Sequence, residues 1–125
     1  MTKLVKPTES ELDILSILWE KEYAMVKEVH EIILKNKKIG YTTTLKLMQI
    51  MNEKGLVGRD IQSKKHIYTP LINKEKLQAL YLSKMIQTLF GGSSTELVLQ
   101  ALEKYPPNEK DIASIVSMLK QRQHK

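Results

Sequence analysis

The side chains best placed to bind another molecule lie in a run of small hydroxyl residues that is followed by a basic residue. Thr42, Thr43 and Thr44 come shortly after Gly40, and Lys46 follows within the next helical turn. Threonine hydroxyls bond phosphates or base edges, and threonine methyls contact the 5-methyl group of thymine. A helix that begins here would direct free backbone N–H groups, at the positive end of its dipole, towards phosphate. Taken alone, the run is more typical of an ordinary helix start.

Basic residues are concentrated in the middle of the chain. Of the 125 residues, 20 are Lys or Arg and 14 are Asp or Glu, so the net charge is +6. Residues 35–74 hold nine of the basic residues and two acidic ones, whereas residues 1–34 hold four basic and seven acidic ones. This distribution indicates a polyanion-binding surface, although a solvated lysine-rich face would have the same composition.

Amphipathic stripes and turn residues predict six helices and one β-hairpin. The predicted helices span about 8–21, 25–36, 42–54, 74–90, 93–105 and 109–122, and the strands span 56–60 and 66–70. Three helices followed by a hairpin is the order of a winged helix-turn-helix. The predicted fold class is therefore mainly α with a small β-hairpin wing: a winged-helix DNA-binding domain at 1–72 and a helical dimerisation region at 73–125.

Several function classes are disfavoured by composition and spacing. The chain has no cysteine, which excludes disulfides, thiol catalysis and cysteine-based metal sites. His30, His66 and His124 are scattered, and no nucleophile, phosphate-loop or dinucleotide motif occurs, so we expect no enzyme, no cofactor and no metal site. No apolar run approaches the roughly 20 residues of a membrane span, and the first residues lack the apolar core of a signal peptide. We therefore expect a cytoplasmic protein without membrane insertion.

Three stretches closely resemble a known family. They are residues 8–19 with 26–30, residues 40–57 around the threonine run, and residues 67–71 at the end of the predicted wing. In these stretches the sequence resembles the penicillinase-repressor family of the BlaI/MecI type, which also includes the copper-responsive CopY repressors. The resemblance covers about residues 5–72 well and the remainder by helix count only.

The resemblance implies a repressor of resistance or stress genes, antibiotic resistance among them, that binds a palindromic operator in double-stranded DNA as a homodimer. In the β-lactam-responsive branch, a membrane sensor protease drives cleavage within the C-terminal region and so relieves repression. The copper-responsive branch carries a cysteine-rich motif that is absent here. Family members often have an arginine where this chain has Ile50, and Leu45 adds further apolar character to the presumed outer side of the recognition helix.

Charge, position and the resemblance together assign the site residues. The predicted DNA-binding residues are Tyr41, Thr42, Thr43, Lys46, Gln49, Lys54, Arg59, Lys64, Lys65 and His66. The predicted dimer contacts are Leu77, Tyr81, Leu97, Ala101, Leu102, Ile112, Ile115, Val116 and Leu119. The resemblance places the cleavage region at Gln100 and Ala101. The alternative function is a winged-helix module that binds another protein and no DNA.

Overall fold

The computed structural model describes residues 6–61 and 65–123 and shows the predicted order of elements. The elements are α1 (Glu9–Lys21), α2 (Val26–Ile33), α3 (Tyr41–Glu53), β1 (Val57–Asp60), β2 (Ile67–Pro70), α4 (Lys74–Leu89), α5 (Ser94–Lys104) and α6 (Glu109–Gln123). The mainly helical winged helix-turn-helix fold is therefore confirmed.

The chain divides into two compact units. The N-terminal unit is residues 1–78 and the C-terminal unit is residues 79–125, so the division falls within α4. The first turn of α4 begins with a side-chain cap, because the Asn73 carboxamide oxygen accepts a hydrogen bond from the Lys76 N–H at 2.9 Å. Leu77 in that first turn is buried in the core of the N-terminal unit.

A capping box marks the start of α1. The Thr8 hydroxyl accepts a hydrogen bond from the Glu11 N–H at 3.2 Å, and the Glu11 carboxylate accepts one from the Thr8 N–H at 2.8 Å. The apolar side of α1 then buries Ile14, Leu15 and Leu18 completely. Because the cap fixes where the helix begins, it also fixes which residues of α1 face the core.

The α1 side of the core is joined to distant parts of the N-terminal unit. Fully buried residues come from each of the first three helices and from the hairpin: Ile14, Leu15, Leu18, Val29, Met48, Met51, Leu56, Val57 and Tyr68. The Trp19 indole N–H also donates to the Ile72 carbonyl at 3.0 Å, which ties α1 to the segment before α4. Trp19 is half-buried at the edge of this core, as its place on the apolar stripe predicts.

The hairpin is antiparallel and pairs Val57 with Pro70 and Asp60 with Ile67 at its two ends. Its second strand has a partner on both sides, because Tyr68 also exchanges two backbone hydrogen bonds with Ala24, at 2.9 and 3.0 Å. Ala24 lies between α1 and α2, so this bridge fixes the wing to the start of the helix-turn-helix. The Tyr68 side chain is also buried in the core, which stabilises the same connection between the wing and the helices.

Several boundaries in the structure differ from the predicted ones by one to three residues. The second helix ends at Ile33, because the Lys35 and Asn36 N–H groups bond back only three residues, to Ile32 and Ile33, and tighten the chain into a turn. β2 begins at Ile67, because His66 has a left-handed backbone with φ +42° that does not continue a strand.

The third helix also begins one residue earlier than predicted. Gly40 is the N-cap residue, without a side-chain hydrogen bond, and the threonines occupy the first turn. The helix starts here because the Thr43 and Thr44 N–H groups donate to the Gly40 carbonyl at 3.1 and 3.3 Å. The ring of the first helical residue, Tyr41, lies edge-on to His30 of α2 at a centroid distance of 5.5 Å. Gly55 ends the segment after α3 with φ +82°, a conformation that favours glycine.

The C-terminal unit consists of most of α4 with α5 and α6. The Ser93 hydroxyl caps α5 by accepting from the Glu96 N–H at 3.1 Å, and Asn108 caps α6 by accepting from the Asp111 N–H at 2.8 Å. Gly91 and Gly92, both with positive φ, form the turn between α4 and α5. Residues 79–123 are all described, and none of their side chains is buried.

Candidate nucleic-acid interface

The third helix has an inner face that fixes its rotation and an outer face that is open to solvent. Thr44, Met48 and Met51 are completely buried, whereas Thr42, Thr43, Lys46 and Gln49 are exposed. Because residues three and four apart lie on one side of a helix, the buried triplet dictates that the exposed residues face outward together. Thr42, Thr43, Lys46 and Gln49, all predicted to bind DNA, therefore lie on the solvent side of α3.

The two helices of the helix-turn-helix are joined by a polar contact. His30 of α2 lies with its Nδ1 atom 2.8 Å from the Thr44 hydroxyl oxygen, and the Thr44 side chain is buried. This contact places Thr44 inside, although it belongs to the same run as the two exposed threonines. His30 is half-buried at the edge of the core, as expected for a histidine without a chemical role.

Beside α3 lies a groove whose walls carry positive charge. We call it the basic groove, a depression of about 310 Å³ lined by Met25, Val26, Lys27, Tyr41, Leu45, Gln49, Arg59, Lys65, His66 and Tyr68. It brings together residues from α2, α3 and the wing. Five predicted DNA-binding residues meet there: Tyr41, Gln49, Arg59, Lys65 and His66.

One further basic residue of this groove was not predicted. Lys27 lies in the first turn of α2, which puts a cation at the helix that precedes the recognition helix. Its position within the mostly acidic first 34 residues concealed it in the sequence. Lys27 could still have been recognised from the sequence, because it is the second residue of the first helix of a helix-turn-helix, where phosphate contacts are common.

The opposite flank of α3 carries a second depression with a different character. Thr42, Thr43, Lys46, Leu47 and Ile50 line about 320 Å³ there. Three of the predicted DNA-binding residues, Thr42, Thr43 and Lys46, therefore lie on this side. Leu45 and Ile50, both expected to face outward, are half-buried and lie on opposite flanks of the helix.

Two lysines of the basic middle are engaged by carboxylates of α1. The Lys37 ammonium lies 2.6 Å from the Asp13 carboxylate, and this hydrogen bond raises the pKa of Lys37. The Lys54 ammonium lies 2.9 and 3.0 Å from the two oxygens of Glu11, whose side chain is completely buried. Lys54 was predicted to contact DNA, but the structure gives its ammonium this internal partner.

The Glu11 carboxylate is held in its charged form. Burial raises its pKa, but the Thr8 N–H and the Lys54 ammonium lower it by more, so the net shift is downward from the ordinary value of 4.5. Lys54 follows α3 directly, and Glu11 lies in the first turn of α1. The Lys54–Glu11 ion pair therefore connects the C-terminal end of α3 to the first turn of α1, and the Lys54 charge is not left unpaired for a ligand.

The wing contributes Arg59 from β1 and Lys65 from the segment before β2, both exposed. Lys64, also predicted to bind DNA, lies outside the described residues.

Among the residues that the structure describes, no three His, Cys, Asp or Glu side chains come close enough to hold a metal ion. Within the same residues, no helix is long and apolar enough to cross a membrane.

Comparison with known proteins places this architecture in a family. The model of the penicillinase repressor family matches residues 7–121. The chain belongs to the penicillinase repressor family. It is accordingly a DNA-binding transcriptional repressor and not an enzyme, as predicted from the sequence.

Several curated proteins of the penicillinase repressor family align along nearly the whole chain. The transcriptional regulator BlaI of Mycobacterium tuberculosis is 26% identical over 113 residues, which are 89% of this chain and 82% of that protein. The methicillin resistance regulatory protein MecI of Staphylococcus aureus is 22% identical over 120 residues, covering 96% and 98%. The penicillinase repressor of Staphylococcus aureus is 23% identical over 117 residues, covering 94% and 93%.

Among solved structures, the ferric uptake regulator of Francisella tularensis aligns with a TM-score of 0.45 and 12% identity, covering 73% of this chain and 85% of that one. This similarity is too low to establish a shared fold, so membership of the penicillinase repressor family rests on the sequence.

Proposed function

We propose that the chain is a sequence-specific repressor that binds a palindromic DNA operator as a homodimer, with α3 in the major groove and the wing beside the phosphate backbone. The observation that carries this proposal is the arrangement around α3. Its outer face presents small polar side chains and Lys46, no acidic residue lies in its first turn, and the basic groove runs along one flank. The proposal places the protein in the cytoplasm, where its DNA is.

Different residues would have different tasks in this complex. Thr42, Thr43 and Lys46 project from the first half of α3, the part of a recognition helix that reaches base edges. Arg59 and Lys65 of the wing, with Lys27 of α2, lie around the basic groove and suit phosphate contacts. We keep Lys54 out of this set, because its ammonium is paired with the buried Glu11.

The C-terminal unit supports the homodimer. Each of its helices carries an apolar stripe that the single chain does not bury, with Ile112 47%, Val116 42% and Leu119 56% exposed on α6. On α5, Leu97 and Leu102 are half-buried, and Ala101 is exposed. Apolar surface of this extent typically marks an interface. A second copy supplies a matching surface through a twofold axis, which a palindromic operator mirrors.

One predicted dimer residue, Leu77, differs from the rest. Leu77 is 2% exposed in the single chain and is buried within the N-terminal unit, so the proposed interface does not include it. Tyr81, one turn further along α4, is half-buried and stays in the proposal together with Ile115 of α6.

We also propose that proteolysis near Gln100 and Ala101 releases the operator, with a membrane sensor protease as the partner. Both residues are exposed in the middle of α5, so cleavage needs only local opening of that helix. Gly91 and Gly92, both with positive φ, form the turn that connects α4 to α5. Cleavage would detach the last part of the proposed interface while leaving the N-terminal unit intact.

Truncation after Gln100 tests the release mechanism. The shortened protein should be monomeric at micromolar concentration and should bind operator DNA at least a hundredfold more weakly, because linked half-sites no longer act together. A truncated protein that stays dimeric and binds as tightly as the full chain would show that this cleavage does not relieve repression.

Sequence-specific binding is tested directly with DNA from upstream of the protein's own gene. A gel-shift titration should show a complex that unlabelled upstream DNA displaces at much lower concentration than random DNA does. The alternative, a winged helix that binds only another protein, predicts no shift with either DNA at any salt concentration.

A further inference from the structure

The two flanks of α3 differ in chemistry. On one side lies the basic groove, with Lys27, Arg59 and Lys65 on its walls. On the other side Thr42, Thr43, Leu47 and Ile50 present methyl and methylene groups around the depression that Lys46 borders. We call these four residues the apolar strip. If α3 lies in a groove of another molecule, its charged flank and its apolar flank must contact two different kinds of surface.

The buried face of α3 fixes the direction of the apolar strip. Met48 and Met51 are fully buried at the same level of the helix, and residues on the other side of a helix then face away from the core. Leu47 and Thr43 also line a separate cleft together with Ile17 of α1 and Ile39 of the turn before α3. The strip therefore lies at the surface beside this cleft.

Base edges in the major groove carry one apolar group, the 5-methyl of thymine. Because the strip lies on the outer side of the helix that enters the groove in the proposed function, we infer that it reads thymine methyl groups. This inference rests on that function. Of the two large apolar side chains in the strip, Leu47 also lines the cleft against α1, so we assign the main contact to Ile50. Lys46, at the border of the strip, would bond a neighbouring phosphate or guanine.

The charge of Lys46 argues for DNA as the occupant rather than an apolar segment of a protein. An apolar protein segment docked on the strip would bury the ammonium next to it without a partner, at a cost. A DNA groove supplies phosphate and base acceptors within reach of the same ammonium. The absence of acidic residues from the first turn of α3 is consistent with this choice.

Replacing thymine by deoxyuridine removes the methyl group and leaves base pairing unchanged. A high-affinity duplex is first selected from a random pool with the full chain. Wild type and Ile50→Ala are then titrated with that duplex and with versions that carry deoxyuridine at single thymine positions. Leu34→Ala, an apolar substitution at the end of α2, is the control for general effects on folding.

For wild type, deoxyuridine at a contacted position should weaken binding about fourfold for each methyl group, which is about 0.8 kcal/mol at 1.4 kcal/mol per factor of ten. Ile50→Ala should lose affinity for the thymine duplex and show little or no further loss with deoxyuridine at the same position. Leu34→Ala should behave as wild type does.

Two results would overturn the inference while leaving the proposed function in place. One is selective binding with no effect of deoxyuridine at any thymine. The other is an equal loss with deoxyuridine in wild type and in Ile50→Ala, which would mean that other residues read the methyl group or that the duplex itself has changed. Failure to select any duplex would instead refute the proposed function and this inference with it.

Discussion

The two units of the chain differ in how far they bury their apolar side chains. The N-terminal unit completely buries side chains from three helices and the hairpin and joins them by the Trp19, Tyr68 and Glu11 contacts. The C-terminal unit has comparable apolar stripes and well-formed caps, yet none of the side chains described in it is buried. Local helix signals thus occur in both units, but among the described residues only the first unit buries its apolar side chains completely.

This difference shows that helix formation and burial are separate questions. A cap and an amphipathic stripe specify that a helix forms and which face is apolar, but they do not say what covers that face. In the N-terminal unit the cover is the same chain. In the C-terminal unit we propose that it is a second copy, which makes the DNA-binding activity of the first unit depend on the second.

The largest effect should come from adding a charge to the apolar face of α6. Val116→Asp would bury an unpaired carboxylate in the proposed interface, so we expect a monomer and about a thousandfold weaker operator binding. Sedimentation velocity and a gel shift measure the two quantities. Ser114→Asp adds the same charge on the opposite face of α6 by helical spacing and should leave both unchanged. If the two variants sediment alike and bind the operator equally well, the dimer interface does not include α6.

Salt dependence should reveal how much of the binding comes from the N-terminal unit's charge. If the dimer neutralises about 8 phosphates, the slope of log K against log salt concentration is about −7, so doubling the salt concentration weakens binding about a hundredfold. Lys65→Ala should reduce the size of the slope by about 1 for each chain in the complex. A slope near zero would mean that the basic groove is not the DNA-binding surface.

Stability of the N-terminal unit should depend on the pair between Lys54 and Glu11. Lys54→Met leaves the buried carboxylate without its cation, and we expect a loss of about 2 kcal/mol at pH 7 in urea unfolding. That is less than the roughly 3–5 kcal/mol of a fully buried pair, because the Lys54 side chain is 30% exposed. Lys38→Met, at an exposed lysine of the turn before α3, is the control.

The same pair predicts the direction of a pH effect. The pKa of Glu11 is lower in the folded chain than its ordinary value of 4.5, so its contribution to stability is complete above that pH and is lost as the pH falls through the folded pKa. The stability difference between wild type and Lys54→Met should therefore shrink below pH 4.5. A difference that stays constant down to pH 2 would contradict a charged Glu11 in the folded state.

The smallest expected effect distinguishes residues that read the base sequence from residues that only position the protein on the phosphate backbone. Lys46→Ala should weaken operator binding about tenfold and binding to random DNA much less, because Lys46 projects from the outer face of α3. Lys65→Ala of the wing should weaken both about equally. If the two variants lose affinity for operator and random DNA in the same proportion, the outer face of α3 does not read the sequence.

The sequence predicted the order of elements because each one carries its own local signal. Thr8 and Glu11 form a capping box at the start of α1, Gly55 follows α3 with a positive φ, and Asn73, Ser93 and Asn108 cap the last three helices. These signals act over three or four residues, so they can be recognised without knowledge of the fold.

Features that depend on contacts between distant residues could not be predicted in this way. The pairing of Lys54 with Glu11 spans 43 positions, and nothing near Lys54 distinguishes it from the exposed lysines of the basic middle. The burial of Thr44 apart from Thr42 and Thr43 depends on where α3 packs against α2. Lys27 became part of the candidate site only once α2, α3 and the wing lay together.

The stoichiometry of the protein on its operator tests the central claim most directly, because it requires both the DNA-binding surface and the proposed interface. Sedimentation equilibrium of the full chain with the selected duplex gives the mass of the complex. The account predicts two chains for each duplex at all protein concentrations where a complex exists, with no populated one-chain complex. A stable complex of one chain with one duplex, at the same affinity, would contradict it.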